Sequence, residues 1–357
     1  MNALVLKIGK KTYPDWPSVH IHRSMNKLSG AWGVMGSDIF RGDANAWDIR
    51  MGDPVIVEID EQKVAVGYLE DLNIDYQQDD FTVEIKGRDK TGDLVDCPYA
   101  VTPNEWGNQP IFAIIKNLVN PFGVEVAIES GISSRLNRVL GGYRVDIGMT
   151  VCESIIDLCN DNGILPLCYP DGKLTLASPT TTKKSTDRIE LGGNAVRGLL
   201  NQSDKDRFSE YHVYGQCTGS DTKQLADYIE PYNNFSDLIV SRYRPAIFFA
   251  DKPTDSGKCL DRARREAKIR AGQSRAMFYQ VLDWVQSDGK VWEINTLVDV
   301  YDIFLGINKA MLIYELDFVY HANDEEFNSP TTLIGVIDPD AYNFISGDIK
   351  IRSVFDR

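Results

Sequence analysis

Apolar and polar residues alternate along much of the first hundred positions. Val55-Ile56-Val57-Glu58-Ile59 precedes a short Asp-Glu turn, Lys63 to Tyr76 continues the alternation, and Phe81-Thr82-Val83-Glu84-Ile85 follows the polar loop Gln77 to Asp80. Alternation between turn-formers predicts an antiparallel meander with one buried face. Met1 to Lys7 reads as a further strand, because it lacks the basic region, apolar run and small-residue cleavage site of a signal peptide.

The period then changes from two to about three and a half. After Asn108-Gln109-Pro110, residues Ile111, Ile114, Ile115 and Leu118 fall on one helical face, with proline in the first turn, where its missing N–H has no partner. A second helix begins at Thr150, and Glu153 three residues later completes a capping box. Cys152, Ile155, Ile156 and Cys159 form its apolar stripe, and Gly163 is its stop. Leu165 to Leu167, the Asp171-Gly172 turn and Leu174 to Leu176 read as a hairpin. Residues 98–180 are therefore expected to form a small α+β domain.

Strands resume at Phe208 to Tyr214. Ser256 to Gly272 is a predicted helix with Ala263, Ala267 and Ala271 on one edge. Strands are predicted at Ala276 to Trp284, Val291 to Tyr301, Ala310 to Tyr320 and Thr331 to Ile337, and the last dozen residues read as an exposed tail. These later strands echo the first meander in order and length, with Gly67-Tyr68-Leu69-Glu70-Asp71-Leu72 set against Ile313-Tyr314-Glu315-Leu316-Asp317-Phe318. The expected fold is mainly β with α+β insertions: two similar antiparallel β-barrel domains at 1–97 and at 181–217 with 275–345, the α+β domain between them, an inserted helical and irregular domain at 218–274, and a tail at 346–357.

Composition narrows the function. With 43% hydrophobic and 25% charged residues in 357, the chain is globular and long enough for several cores. A net charge of -14 disfavours nucleic acid and anionic lipid as partners. No window approaches the roughly 18 apolar residues of a membrane span, so no membrane anchor is expected. The cysteines at 97, 152, 159, 168, 217 and 259 form no C-x-x-C pair and read as buried free thiols.

Candidate chemistry is sparse. His20 and His22, at i and i+2 of a strand, face one side; a metal could use the pair, yet nothing else marks a site, and polar residues on a solvated strand face are expected. His212 and His321 lie in strands beside tyrosines and lack a nearby serine, cysteine or acidic orienter pattern, so partly exposed strand residues are expected. Asp338 and Asp340 read as a turn, Gly141-Gly142 as a loop break, and the arginines and lysine from Arg262 to Arg270 as partners of carboxylates. Among the motifs sought, G-x-S-x-G, H-E-x-x-H, the Walker loop and G-x-G-x-x-G are missing. No catalytic residue, metal ligand or cofactor is expected.

One run is distinctive: Gly87-Arg88-Asp89-Lys90-Thr91-Gly92-Asp93-Leu94-Val95-Asp96-Cys97, directly after the last strand of the first module. It resembles the G-R-(S/T)-x-T-G-D-L-V-D signature of baseplate hub proteins from Mu-like contractile-tailed phages, departing by Asp89 in place of a hydroxyl residue. Tyr211 to Gln216 is similar to that family's strand into the second barrel, and Ala263 to Arg275 with Val281 to Trp284 to its arginine helix and following strand. Trp292 to Asn295, Val298 to Val300, Gly306, Leu312-Ile313 and Asp338-Pro339-Asp340-Ala341-Tyr342 are similar to its closing strands and P-D-A-(F/Y) ending.

That resemblance implies a structural protein of the virion tail baseplate, assembled in the bacterial host cytoplasm, and not an enzyme. It implies a homotrimer whose six barrels form a pseudo-sixfold ring between a sixfold tail tube and a threefold spike. The partners it implies are further copies of the chain, the spike protein, the tail tube or a tube adaptor, other baseplate proteins and the tape measure protein. An acidic lumen would let DNA pass without adhering. The competing readings are a tail-associated cell-wall hydrolase and a receptor- or carbohydrate-binding tail protein; Trp284 and Trp292 fall in strands read as core, which leaves fewer aromatics for a sugar platform.

Overall fold

Two strands of 15 residues each, Gln62–Tyr76 and Ile307–His321, organise the protein. The structure, a computed structural model, describes residues 4–37, 49–77, 81–160, 162–180, 182–216, 231–253, 255–342 and 351. Around the first long strand the order across the sheet is Pro54–Ile59, Gln62–Tyr76, Phe81–Asp89, Ala31–Ser37, Ser18–Ser24. Around the second it is Thr296–Asp302, Ile307–His321, Thr331–Ile337, Arg275–Leu282, Ala195–Gln202. The same five strands thus occur twice, in the same chain order and the same sheet order, antiparallel throughout.

The likeness reaches a local defect. Pairing skips Glu70 between Leu69 and Asp71, and skips Tyr314 between Ile313 and Glu315. Each is a bulge, which leaves one residue unpaired and bends the strand. A glycine flanks each bulge on the facing strand: Gly87 pairs with Leu69 and Gly335 with Glu315. A Cβ on Gly87 would lie 2.1 Å from the Tyr68 carbonyl oxygen and 2.4 Å from the Trp32 ring, so the bulged strand and the ring occupy its space. Aligned on the bulges, Leu72, Ile74 and Tyr76 correspond to Leu316, Phe318 and Tyr320. The sequence echo set Asp71 against Asp317; the bulge sets it against Glu315, a shift of two positions that keeps each side chain on its face.

The two modules are not separate bodies. Ser18–Ser24 pairs antiparallel with Glu315 to His321, and this joins both modules in one 13-stranded sheet. Among the described residues no ladder joins Lys11–Pro14 to Ser18–Ser24, and only the single bridge Leu191–Ala195 links the Ile189–Glu190 segment to Ala195–Gln202, so no closed barrel is found there. Length explains the joint. Ile307–His321 outruns the seven residues of Thr296–Asp302, and the backbone groups of its second half need a partner. One core serves both modules, with Leu6, Val57, Ile85, Val298, Leu316 and Ile334 all fully buried.

A second core holds the α+β segment. Ile111, Ile114, Ile115 and Leu118 are fully buried on the helix Ile111–Val119, with Pro110 one position earlier than expected, as the N-cap. The capping box forms on the helix Val151–Asn160: the Thr150 N–H donates to Glu153 Oε2 at 2.8 Å and the Glu153 N–H to Thr150 Oγ1 at 3.1 Å. The hairpin Leu165–Cys168 and Leu174–Ala177 turns at Gly172, where φ is +76° and a Cβ would meet the Val66 carbonyl oxygen at 2.7 Å.

A third, small core corrects an assignment. Glu210–Gln216, read from sequence as part of the second module, lies instead between Tyr232–Ser236 and Pro245–Pro253 in its own three-stranded sheet. Its Tyr211 and Val213 pack on Ala263 and Ala267 of the helix Ser256–Gln273, so the alanine edge chose the partner. Of the expected exposed tail only Ile351 is described, and it is buried, its carbonyl accepting from Arg207 Nη2 at 3.0 Å. The loop residues 78–80 and Cys217 lie outside the described residues.

Candidate functional site

Among the described residues, the joint between the modules gathers the one group of side chains with metal-ligand geometry. Its inner face buries Val19, Ile21, Leu316 and Phe318, with Ile21 directly opposite Phe318 and the ion-paired Arg23 opposite Leu316. Its outer face carries His20, His22, Glu315 and Asp317, brought together by strand alternation and by the register that sets Asp317 opposite His22. Asp317 Oδ1 is hydrogen-bonded to His20 Nε2 at 2.8 Å and to His22 Nδ1 at 2.9 Å, while Glu315 Oε1 stands 3.8 Å from His22 Nδ1.

Two opposing effects act on these carboxyls. Burial raises the Asp317 carboxyl, but the hydrogen bonds from His20 and His22 and their proximity outweigh it and hold it down at about 2. Glu315 goes the other way: burial and the charge of Asp317 raise it against the pull of His22. His22, Glu315 and Asp317 each bring one ligand-type atom within 4.8 Å of the others, a nitrogen and oxygen set that suits a divalent cation. The histidines share one face, as their spacing requires. They are not simply solvated, however, since both are tied to an acid almost three hundred residues away.

The structure also pairs other candidates. Ser18 Oγ lies 2.7 Å from His321 Nδ1, a serine–histidine contact between strands that the linear sequence keeps apart. Among the described residues no carboxylate hydrogen-bonds that ring, so the contact lacks the orienter of a hydrolytic triad. His212 has an acidic neighbour after all, Glu210 Oε2 at 2.9 Å from Nε2, and Tyr232 Oη at 2.7 Å from Nδ1. Asp338 forms the expected turn, accepting from the Asp340 N–H at 3.0 Å and pairing with Lys309 at 2.8 Å. On the helix, Arg270 pairs with Glu266 at 3.3 Å and covers the Phe208 and Phe248 rings, and buried Lys268 reaches Asp340 at 3.4 Å. Of the described cysteines all are free and only Cys97 is not buried. Burial pushes the Cys152 thiol up to about 11. Trp284 and Trp292 are buried in the shared core.

The departure in the distinctive motif, Asp89, has a structural role that nothing near it in the sequence reveals. Asp89 is fully buried, accepts from Arg23 Nη2 at 3.0 Å and from the Gly30 N–H at 3.0 Å, and so ties two strands of the first module. Arg23 in turn donates to the carbonyls of Val64 at 2.7 Å and Cys168 at 3.2 Å, which anchors the α+β hairpin. Arg88 of the same motif bridges Glu70, at 2.6 Å, and Asp96.

Three family models match the chain in succession. Residues 3–89 match the N-terminal domain of the Mu phage baseplate assembly protein GpP-like family, 91–178 the second domain of the baseplate hub protein gp44-like family, and 256–344 the fourth domain of Mu phage baseplate assembly protein GpP. The chain belongs to the Mu-like baseplate hub proteins. This hub is 27% identical over 303 residues to the baseplate hub protein gp44 of Escherichia phage Mu, covering 84% of this chain and 79% of the relative. It superimposes with a TM-score of 0.83 on the 43 kDa tail protein of prophage MuSo2 from Shewanella oneidensis, at 27% identity over 96% of this chain and 99% of that one. A tail protein from Neisseria meningitidis shares the fold at a TM-score of 0.79 and 19% identity, covering 95% and 99%. Among the described residues of the hub, no helix is long and apolar enough to cross a membrane.

Proposed function

We propose that this hub forms a homotrimeric ring in which three chains place six copies of the five-strand module around one axis. The observation that carries this reading is the duplication itself: two modules with the same strand order and the same bulge, joined edge to edge inside one chain. A threefold assembly of such chains matches sixfold symmetry on one side and threefold symmetry on the other. The ring would thus join the sixfold tail tube, directly or through an adaptor, to a threefold central spike.

The segments outside the repeat, the α+β unit and the helix Ser256–Gln273 with its small sheet, break the sixfold likeness and offer surfaces to the spike and to neighbouring baseplate proteins. Contact with the tape measure protein belongs to the same reading. The role is structural, placed in the virion baseplate and nucleating its assembly in the host cytoplasm, with no cofactor, no catalysis and no specific nucleic-acid binding. The net charge of -14 favours a lumen that repels DNA.

Native mass spectrometry of the purified chain across a concentration series, with the copy number counted in a reconstructed baseplate, tests the ring. Three copies per ring are expected. A ring of any other copy number in the baseplate would sink the reading, whatever the free chain does in solution.

A further inference from the structure

The internal joint has an unfilled counterpart. Ile307–His321 pairs along its first half with Thr296–Asp302 and along its second half, on the same side, with Ser18–Ser24. Gln62–Tyr76 pairs along its first half with Pro54–Ile59, and on that side its second half has no strand partner among the described residues. Ser18–Ser24 has a strand on both sides, whereas its counterpart Ala195–Gln202 ends the sheet. Among the described residues the sheet is therefore open at these two edges as well as at Lys11–Pro14, and the equivalents of these two are already paired with each other inside the chain.

Exposure and shape agree. Phe318 is 1% exposed, and its counterpart Ile74 is 45% exposed; Tyr76, the counterpart of half-buried Tyr320, is 74% exposed. Ser18–Ser24 is exposed only at His20, but Ala195–Gln202 is exposed everywhere except Ala195 and Leu200. Along that open edge runs a cleft of about 440 Å³, lined by Val196, Arg197, Gly198 and Leu200, with Phe304 and Leu305 opposite.

We infer that Leu72 to Tyr76 of one copy pairs antiparallel with Gly198 to Gln202 of a second copy, repeating the internal joint between chains. The register follows from shared neighbours. Ile21 faces Trp32, which faces Gly87; Leu200 faces Met277, which faces Val336; and Gly87 and Val336 both stand just before their bulges. Transferring the internal register then sets Ile74 opposite Leu200, Tyr76 opposite Gly198 and Asn73 opposite Asn201. Backbone pairing across two open edges supplies the adhesion, and the apolar inner faces extend the shared core. Each chain gives one edge and receives another, so the contact is head-to-tail and closes only when the rotation per chain divides the circle.

This inference rests on the ring reading, and a cysteine pair separates the two. Residues directly opposite on antiparallel strands bring Cβ atoms within about 5.5 Å, close enough to oxidise to a disulfide. The full chain carrying Ile74→Cys and Leu200→Cys is expected to yield covalent dimers and trimers, with the ladder ending at three. Either single variant, the wild type, and the off-face pair Ile74→Cys with Leu199→Cys should give only background. Native trimers that do not cross-link would overturn this interface and leave the ring standing. A chain that neither associates nor cross-links at any concentration would overturn this interface, whose edges are already exposed in the free chain, while the copy number in the baseplate still decides the ring. Covalent species running beyond three would keep the strand pairing and overturn threefold closure. As a second variant, Tyr76→Asp sits at an exposed position, should leave the circular dichroism unchanged and should weaken self-association about tenfold or more; undiminished association would count against the pairing.

Discussion

Arg23 and Asp89 form an ion pair of 3.0 Å with both side chains sealed from solvent. The pair links Ser18–Ser24 to Phe81–Asp89, and the other guanidinium donors hold the carbonyls of Val64 and Cys168. Breaking one partner of a buried pair leaves an uncompensated charge.

Asp89→Ser, which installs the hydroxyl residue of the resembled motif, is therefore expected to destabilise the protein by about 3–5 kcal/mol. Replacing Arg23 by Met in the same chain should recover much of that loss, because no charge remains unpaired. Urea denaturation of the two single variants and the double variant measures the coupling; additive losses would show that the pair is not the cause.

The Asp317 carboxyl provides a pH dependence with a defined sign. Its value in the folded protein is lowered from 3.8 to about 2, so its contribution is present above pH 3.8 and is lost as pH falls toward 2. Glu315, raised by burial, acts in the opposite sense and relaxes on protonation. Asp317→Asn should cost about 2 kcal/mol at neutral pH and flatten the acid limb. Thermal unfolding of both proteins over that range checks it; parallel acid limbs would refute the assignment.

Glycine is required at the first bulge by contact, not by conformation. Gly87→Ala places a methyl 2.1 Å from the Tyr68 carbonyl oxygen and should destabilise by about 3 kcal/mol or more. Gly141→Ala, with open space around it, should change stability by no more than about 0.5 kcal/mol. Chemical denaturation of the two variants gives the contrast.

The capping box admits a smaller test. Thr150→Ala removes the acceptor for the Glu153 N–H and should cost about 1 kcal/mol, visible as a lower unfolding midpoint. Glu153→Ala should cost less, since Thr150 still caps the helix.

Local order was legible where the chain speaks to its near neighbours. Alternation located the strands, the Ile111 to Leu118 stripe located a helix with a fully buried face, and Thr150 with Glu153 located a helix start to the residue. His20 and His22 were correctly placed on one face by period alone. Their partner Asp317, the Ser18–His321 contact and the Arg23–Asp89 pair were not legible, because each joins residues from strands far apart in the chain.

The sequence by itself determined the strand and helix inventory, the repeat and the family motif, all of which depend on residue type and short spacing. Only the tertiary structure decided the register of that repeat, since a bulge adds a residue without leaving a mark in the hydrophobic pattern. It also decided that the modules share one sheet. An edge strand presents backbone groups that any strand of suitable length can satisfy, and packing of the whole core selects which one does. In this hub the second half of Ile307–His321 met Ser18–Ser24, and the matching half of Gln62–Tyr76 has no strand partner on that side among the described residues.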